Sequence, residues 1–138
     1  MRIYNTIGFT GTRDGMTDSQ KKVLAHLLYA LGAQVLHHGD CVGADEDAHS
    51  IARENNVEVV IHPPTVDGLR AFCLGASYVH RPRPYHERNR AIVDDTEFLI
   101  ATPAGAEVST SGTWSTIRYA RKHGKPLAII MPDGSTKT

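Results

Sequence analysis

The chain has 138 residues, 41% hydrophobic and 22% charged, enough for one buried core and too few for a second. Its 15 Lys plus Arg balance 15 Asp plus Glu, which argues against a broad nucleic-acid or membrane surface and leaves room for a local basic pocket. Two cysteines, Cys41 and Cys73, stand without a CxxC or a zinc-ligand spacing, which argues for reduced structural thiols and against a metal.

No apolar run is long enough to span a bilayer and no cationic-then-apolar leader opens the sequence, so a single cytoplasmic domain over 1–138 is expected. Residues 3–9 carry a first strand, and Thr17 with Gln20 forms a capping box for the helix after it. Val23, Leu24, Leu27, Leu28 and Leu31 make the stripe of a helix lying on a sheet, stopped by Gly32. A second strand over 34–38 leads through a turn at 39–45 into a helix ending about Asn55, with Ala44, Ala48, Ile51 and Ala52 facing inward. The β-branched run 57–61 is a third strand, closed by Pro63 and Pro64. Near-continuous apolar strands alternating with helices predict a parallel sheet covered on both faces.

Residues 63–84 hold four prolines (Pro63, Pro64, Pro82, Pro84) and are the least regular stretch, with a short helix expected over 67–76. Pro84 opens a helix reaching Asp94 or Asp95. A fourth strand over 98–101, a loop of small residues over 103–113, a helix over 114–123 stopped by Gly124, and a fifth strand over 126–131 follow. Residues 132–138 read as a frayed tail.

Three glycine-bearing turns, at 10–13, 39–45 and 103–113, fall at the carboxyl ends of strands, where open α/β sheets bind ligands. In the first, Thr10, Gly11, Thr12 and Arg13 set backbone donors, hydroxyls and a cation side by side, as an anionic ligand requires. In the third, Ser109, Thr110, Ser111, Gly112 and Thr113 immediately precede a helix, so free N–H groups and the positive end of its dipole converge. One cap does not need five small polar residues in succession, so a phosphate cradle is expected there. Arg88 and Asn89 are adjacent on a helix and are expected to point about 100° apart without sharing a face. Their use in a pocket would require the start of that helix to overhang the strand ends. The scattered histidines form no HxxxH pair, and neither GxxxxGK[ST] nor a GxGxxG after the first strand is present. Triphosphate hydrolysis and ordinary NAD-dependent hydride transfer lose support accordingly.

Thr10 to Arg13 after the first strand, Gly39 with Gly43, Ala44 and Asp45 after the second, Arg88 and Asn89 before the fourth, and Ser111, Gly112 and Thr113 after it together resemble the SLOG superfamily. This Rossmann-like group includes the DNA-processing protein DprA, the Lonely Guy (LOG) phosphoribohydrolases and the YpsA-like proteins. The resemblance spans about residues 5–131. It implies a three-layer α/β fold with a five-stranded parallel sheet, a pocket for a nucleotide or nucleotide derivative, and assembly as a homodimer or larger homo-oligomer. By that resemblance Gly11, Thr12 and Arg13 form the first phosphate or ribose turn, Gly43, Ala44 and Asp45 the second, with Gly39 at its start. Arg88 and Asn89 are the polar pair of the pocket, and Pro103, Ser111, Gly112 and Thr113 belong to the phosphate loop. In LOG enzymes that loop reads Pro-Gly-Gly-x-Gly-Thr and is followed, three residues after the Thr, by a catalytic glutamate; here the paired glycines are missing and the position is Thr116. A hydroxyl cannot replace a carboxylate in stabilising an oxocarbenium-like centre or activating water.

The leading expectation is a module that binds a nucleotide or phosphorylated nucleoside to sense, sequester or transmit it. The alternative is a hydrolase of an N-glycosidic or phosphoribosyl bond, with Glu107, Asp45 or Asp40 as acid. A DprA-like single-strand binder is disfavoured by the zero net charge and the single Trp. No cofactor is fixed beyond a nucleotide-derived ligand, and neither a nucleic acid nor a membrane is an expected partner.

Overall fold

A computed structural model describes residues 2–138. In chain order the elements are β1 (Thr6–Gly11), α1 (Asp18–Ala30), β2 (Val35–His38), α2 (Ala44–Glu54), β3 (Glu58–Ile61), a single 3-10 turn (Asp67–Leu69), β4 (Tyr78–Val79), α3 (Tyr85–Asp94), β5 (Phe98–Thr102), α4 (Gly112–Lys122), β6 (Leu127–Ile130) and β7 (Thr136–Lys137). The strands form one sheet in the order β4-β3-β2-β1-β5-β6-β7. All neighbours pair in parallel except β6 and β7. Among the described residues no helix is long and apolar enough to cross a membrane.

The two faces are separated by side-chain alternation along each strand. Ile7, Phe9, Leu36, Val59 and Ile61 pack with Leu24 and Leu28 of α1 and Ala44, Ala48 and Ala52 of α2. Leu99, Ala101, Leu127 and Ile129 pack on the other face with Val93 of α3 and Trp114, Ile117 and Ala120 of α4. Within β5, Ile100 joins the first cluster while its neighbours Leu99 and Ala101 join the second. The result is a three-layer α/β sandwich.

The Thr17 capping box forms as expected: its hydroxyl accepts from Gln20 N at 3.1 Å, and Gln20 Oε1 accepts from Thr17 N at 3.0 Å. The Gln20 amide then donates to the carbonyls of Pro103 and Ile130, both at 2.9 Å, tying α1 to the segments after β5 and β6.

Four expectations need correction. The sheet has seven strands rather than five, because β4 and β7 add two-residue edges too short to leave a period in the sequence. β7 lies in the stretch expected to fray; Ser135 N and Oγ bond Asp133 Oδ1, a turn that brings Thr136 against Ile130. The first strand occupies Thr6–Gly11 rather than 3–9. The helix expected over 67–76 is a single 3-10 turn, because that backbone is drawn elsewhere. Ala71 N donates to the Asp40 carbonyl at 2.7 Å and Cys73 N to the Asp40 carboxylate at 3.0 Å, while Phe72 between them takes a positive φ of 54°.

Candidate functional site

Strand order reverses at β1, which has β2 on one side and β5 on the other, so the crevice beyond the carboxyl ends of β1 and β5 is the place where this architecture opens. A cavity of about 490 Å³ lies there. The turns after β1, β2 and β5 and the first turns of α3 and α4 all contribute to its wall.

Of the residues singled out from the sequence, Gly11, Thr12, Arg13, Gly39, Asp45, Arg88, Asn89, Ser111, Gly112 and Thr113 line this cleft. Gly43, Ala44, Pro103 and Glu107 do not. Gly43 is required by its positive φ of 91° and by the Arg13 backbone, which leaves no space for a side chain. Ala44 is fully buried and sets the first turn of α2 against Gly11, its N–H bonding Thr12 O at 3.0 Å. Pro103 contributes its carbonyl to Gln20. Glu107 is exposed and ion-paired to Arg118 at 2.9 Å.

Ser111 caps α4, its hydroxyl accepting from Trp114 N at 3.2 Å. The N–H groups of Gly112 and Thr113 have no acceptor among the described residues, as the first turn of a helix leaves them. A Cβ placed on Gly112 would meet nothing within 4 Å. Donors, the positive end of α4 and open volume therefore coincide. The preceding loop is held to α4 by Trp114 Nε1 bonding Gly105 O at 3.2 Å, by the Arg118–Glu107 pair, and by Arg118 bonding Ser109 O at 3.3 Å.

Arg88 and Asn89 do share the cleft, contrary to the divergence expected of helix neighbours. The start of α3 overhangs the strand ends, and the long Arg88 side chain curls back so that its Nε donates to Asn89 Oδ1 at 2.7 Å. The buried guanidinium also donates to the carbonyls of Gly39 at 2.5 Å and His62 at 3.3 Å, with Cys41 Sγ at 3.7 Å. Arg88 thus braces the turn after β2 against α3, and Gly39 has no Cβ because the guanidinium fills that space. Arg13 has no carboxylate partner among the described residues and, unlike Arg88, is exposed, its guanidinium 5.3 Å from the Tyr85 ring centroid.

The carboxylates separate by environment. Asp45 lines the cleft and accepts from Cys41 N at 3.1 Å; burial pushes its carboxyl up to about 6 against the opposing pull of Arg88. Asp40 lies outside the cleft wall, and its oxygens are occupied by Arg70 Nε at 2.8 Å and Cys73 N at 3.0 Å. Burial works to raise Asp40, yet those hydrogen bonds hold it below its ordinary value. Thr116 donates its hydroxyl to Gly112 O at 3.0 Å, so it faces its own helix.

Two histidine groups bring potential metal donors together. In the first, His38 Nδ1 accepts from Asp40 N at 2.9 Å, which places the proton of neutral His38 on Nε2. That proton points at His49 Nδ1, 2.9 Å away, and His49 Nε2 in turn faces Leu74 O at 2.8 Å. The chain of donors satisfies both rings and leaves His38 no lone pair for an ion shared with His49 and Cys73. In the second, His62 and His80 stack with centroids 4.2 Å apart and planes 21° apart, so their in-plane lone pairs run nearly parallel rather than converging with Asp95.

No family model matches the sequence, and no curated protein matches it. Solved structures do share its architecture. The molybdenum cofactor binding protein of the phototrophic bacterium Rippkaea orientalis superposes with a TM-score of 0.70 at 24% identity, over 95% of this chain and 78% of its own. The Moco carrier protein of Chlamydomonas reinhardtii gives 0.66 at 19% identity, over 91% and 75%. DNA processing protein A of Helicobacter pylori, described for its single-stranded DNA binding mode, gives 0.62 at 21% identity, over 91% and 64%. The chain therefore shares the fold of these proteins.

The cleft wall also includes Asp14, Cys41, Tyr85 and Ser115, which sequence reasoning missed. Tyr85 had a usable signal, since it follows the helix-opening Pro84 and so sits on the turn that overhangs the strands. Cys41 lies in the 39–45 turn expected at the rim, but its residue type marked no role there; its place follows from the bend after β2, where Asp40 adopts a positive φ of 59°.

Proposed function

We propose that this chain binds a phosphorylated nucleoside or nucleotide-derived cofactor, with a phosphate at residues 111–113 and Arg13 neutralising its charge. The observation that carries the reading is the convergence of the three strand-end turns on one cleft that includes the unpaired N–H groups of Gly112 and Thr113. The cavity of about 490 Å³ is within the range of small-molecule and cofactor sites. Support also comes from proteins sharing the fold: two are named for binding or carrying a molybdenum cofactor, and one for binding single-stranded DNA. For this chain the zero net charge disfavours the nucleic acid.

The test is mass spectrometry of small molecules released on heating purified protein, followed by calorimetric titration with mononucleotides and isolated molybdenum cofactor. A stoichiometric phosphorylated compound, rebinding to the folded protein, is expected. Folded protein that retains nothing and binds none of these at millimolar concentration overturns the reading.

A hydrolase reading is favoured by one observation, the Asp45 carboxyl in the cleft raised to about 6, which keeps an acid form accessible near neutrality. Free base appearing from a nucleotide incubated with the wild type, and absent with Asp45→Asn, supports it; no free base with the wild type ends it.

A further inference from the structure

A second cavity, of about 250 Å³, runs between α3 and α4 and shares His86, Asn89 and Ser115 with the main cleft. Its far wall carries Arg90, Arg118 and Lys122, and no carboxylate lines it. Among the described residues neither Arg90 nor Lys122 is ion-paired, and Glu107, the partner of Arg118, stands outside the wall. At the junction, Asn89 Oδ1 is occupied by Arg88 Nε, which leaves the Asn89 amide NH2 as a donor between the two cavities. Tyr119 is fixed by its hydroxyl donating to Asp94 at 2.9 Å, with the Arg90 guanidinium 5.5 Å from its ring centroid.

Lys122 lies about 15 Å along the α4 axis from Gly112, at roughly 1.5 Å per residue, a separation its side chain cannot span. That is farther than two phosphates sharing an oxygen can stand apart, so a single polyphosphate chain end does not account for both sets of donors. Resting on the nucleotide reading of the main cleft, we infer that the ligand carries a second phosphate on the far side of its sugar, held in this groove by Arg90 and Lys122. This is the chemistry of a nucleoside bisphosphate or of the next link of a short oligonucleotide.

The test is titration of the full chain with matched probes: 5′-AMP against adenosine 3′,5′-bisphosphate, the guanosine pair, and the 5′-phosphorylated adenylate dinucleotide. The bisphosphate of one pair is expected to bind about tenfold tighter or better than its monophosphate, with the gap narrowing as salt rises. In the double variant R90Q/K122Q the gap closes while monophosphate affinity is unchanged. A dinucleotide tighter than the bisphosphate names an oligonucleotide as the source; equal affinity names the bisphosphate. Monophosphates that bind with bisphosphates no tighter, or a gap that survives R90Q/K122Q, overturns the groove alone. Failure of every probe overturns the groove and also counts against the nucleotide reading of the main cleft.

Discussion

The Arg88 guanidinium donates to the Gly39 carbonyl at 2.5 Å and fills the space a Cβ would need at that residue. A buried cation of α3 and a side-chain-free turn after β2 are thus one unit. Gly39→Ala is expected to push the guanidinium off its carbonyl partners, at a cost of about 1–3 kcal/mol, because an overpacked buried site relaxes only partly. Gly112→Ala, where nothing lies within 4 Å, is expected to stay within about 0.5 kcal/mol of wild type. Urea denaturation of the two variants checks the contrast; equal midpoints would count against the bracing role of Arg88.

Arg13 is predicted to act on ligand rather than on fold. It is exposed and lacks a carboxylate partner among the described residues, so Arg13→Ala should leave the thermal midpoint within a degree or two. Loss of a charge-assisted contact should weaken nucleotide binding about tenfold, which is about 1.4 kcal/mol. Gly112→Asp should weaken it at least as much, by setting a carboxylate where the phosphate is proposed to sit. Calorimetric titration beside a melting curve measures both, and unchanged affinity in both variants would remove the phosphate cradle.

Much of this arrangement was legible because it depends on local rules. The Thr17–Gln20 box, the leucine stripe of α1 and the unbroken apolar strands each follow from spacing, and together they dictate strands whose carboxyl ends share a rim. What stayed hidden depends on partners distant in sequence. The stretch after Pro64 has enough apolar residues for a helix, but Asp40 captures Ala71 N, Cys73 N and Arg70 Nε and pulls the chain out of helical geometry. Gly11 and Gly39 read as ligand-cradling glycines and do line the cleft, but the sequence did not show that each also makes room for protein: Thr102 and Ala44 in one case, Arg88 in the other. Glu107 read as a pocket acid because it lies in the right loop, yet its pairing with Arg118 turns it outward.

Asp40 organises that stretch through charge, and Arg70 is its counter-ion at 2.8 Å. Arg70→Ala leaves a buried carboxylate with one backbone donor at Cys73 and a large desolvation penalty, so a loss of about 3 kcal/mol is expected. Asp40→Asn/Arg70→Ala should recover part of it, since the uncompensated charge is gone. A denaturation series over the wild type, the single variant and the double variant measures the recovery. No recovery would mean that Arg70 acts by packing on Phe72, whose ring centroid is 4.5 Å from its guanidinium carbon.

Stability should fall on mild acidification, and the buried histidines set the sign. Burial, reinforced by neighbouring imidazoles, pushes His38 and His62 down to about 3 from an ordinary 6.5. Between those values the unfolded chain binds protons that the folded chain refuses, so their contribution is complete above about pH 6.5 and is lost as pH falls toward 3. His37, lowered chiefly by burial, acts in the same direction. Asp45 opposes them: raised to about 6, it binds its proton more tightly in the folded state, and its contribution is present at low pH and lost as pH rises from about 4 to 6. Two deeply lowered histidines outweigh one moderately raised carboxyl, so the urea midpoint is expected to drop from pH 7 to pH 5. His62→Gln, which keeps a polar side chain but cannot titrate, should flatten the profile, and Asp45→Asn should steepen it by removing the opposing proton. A midpoint constant or rising over that interval would show that these rings charge without cost, and would contradict the neutral Asp40–His38–His49–Leu74 hydrogen-bond chain.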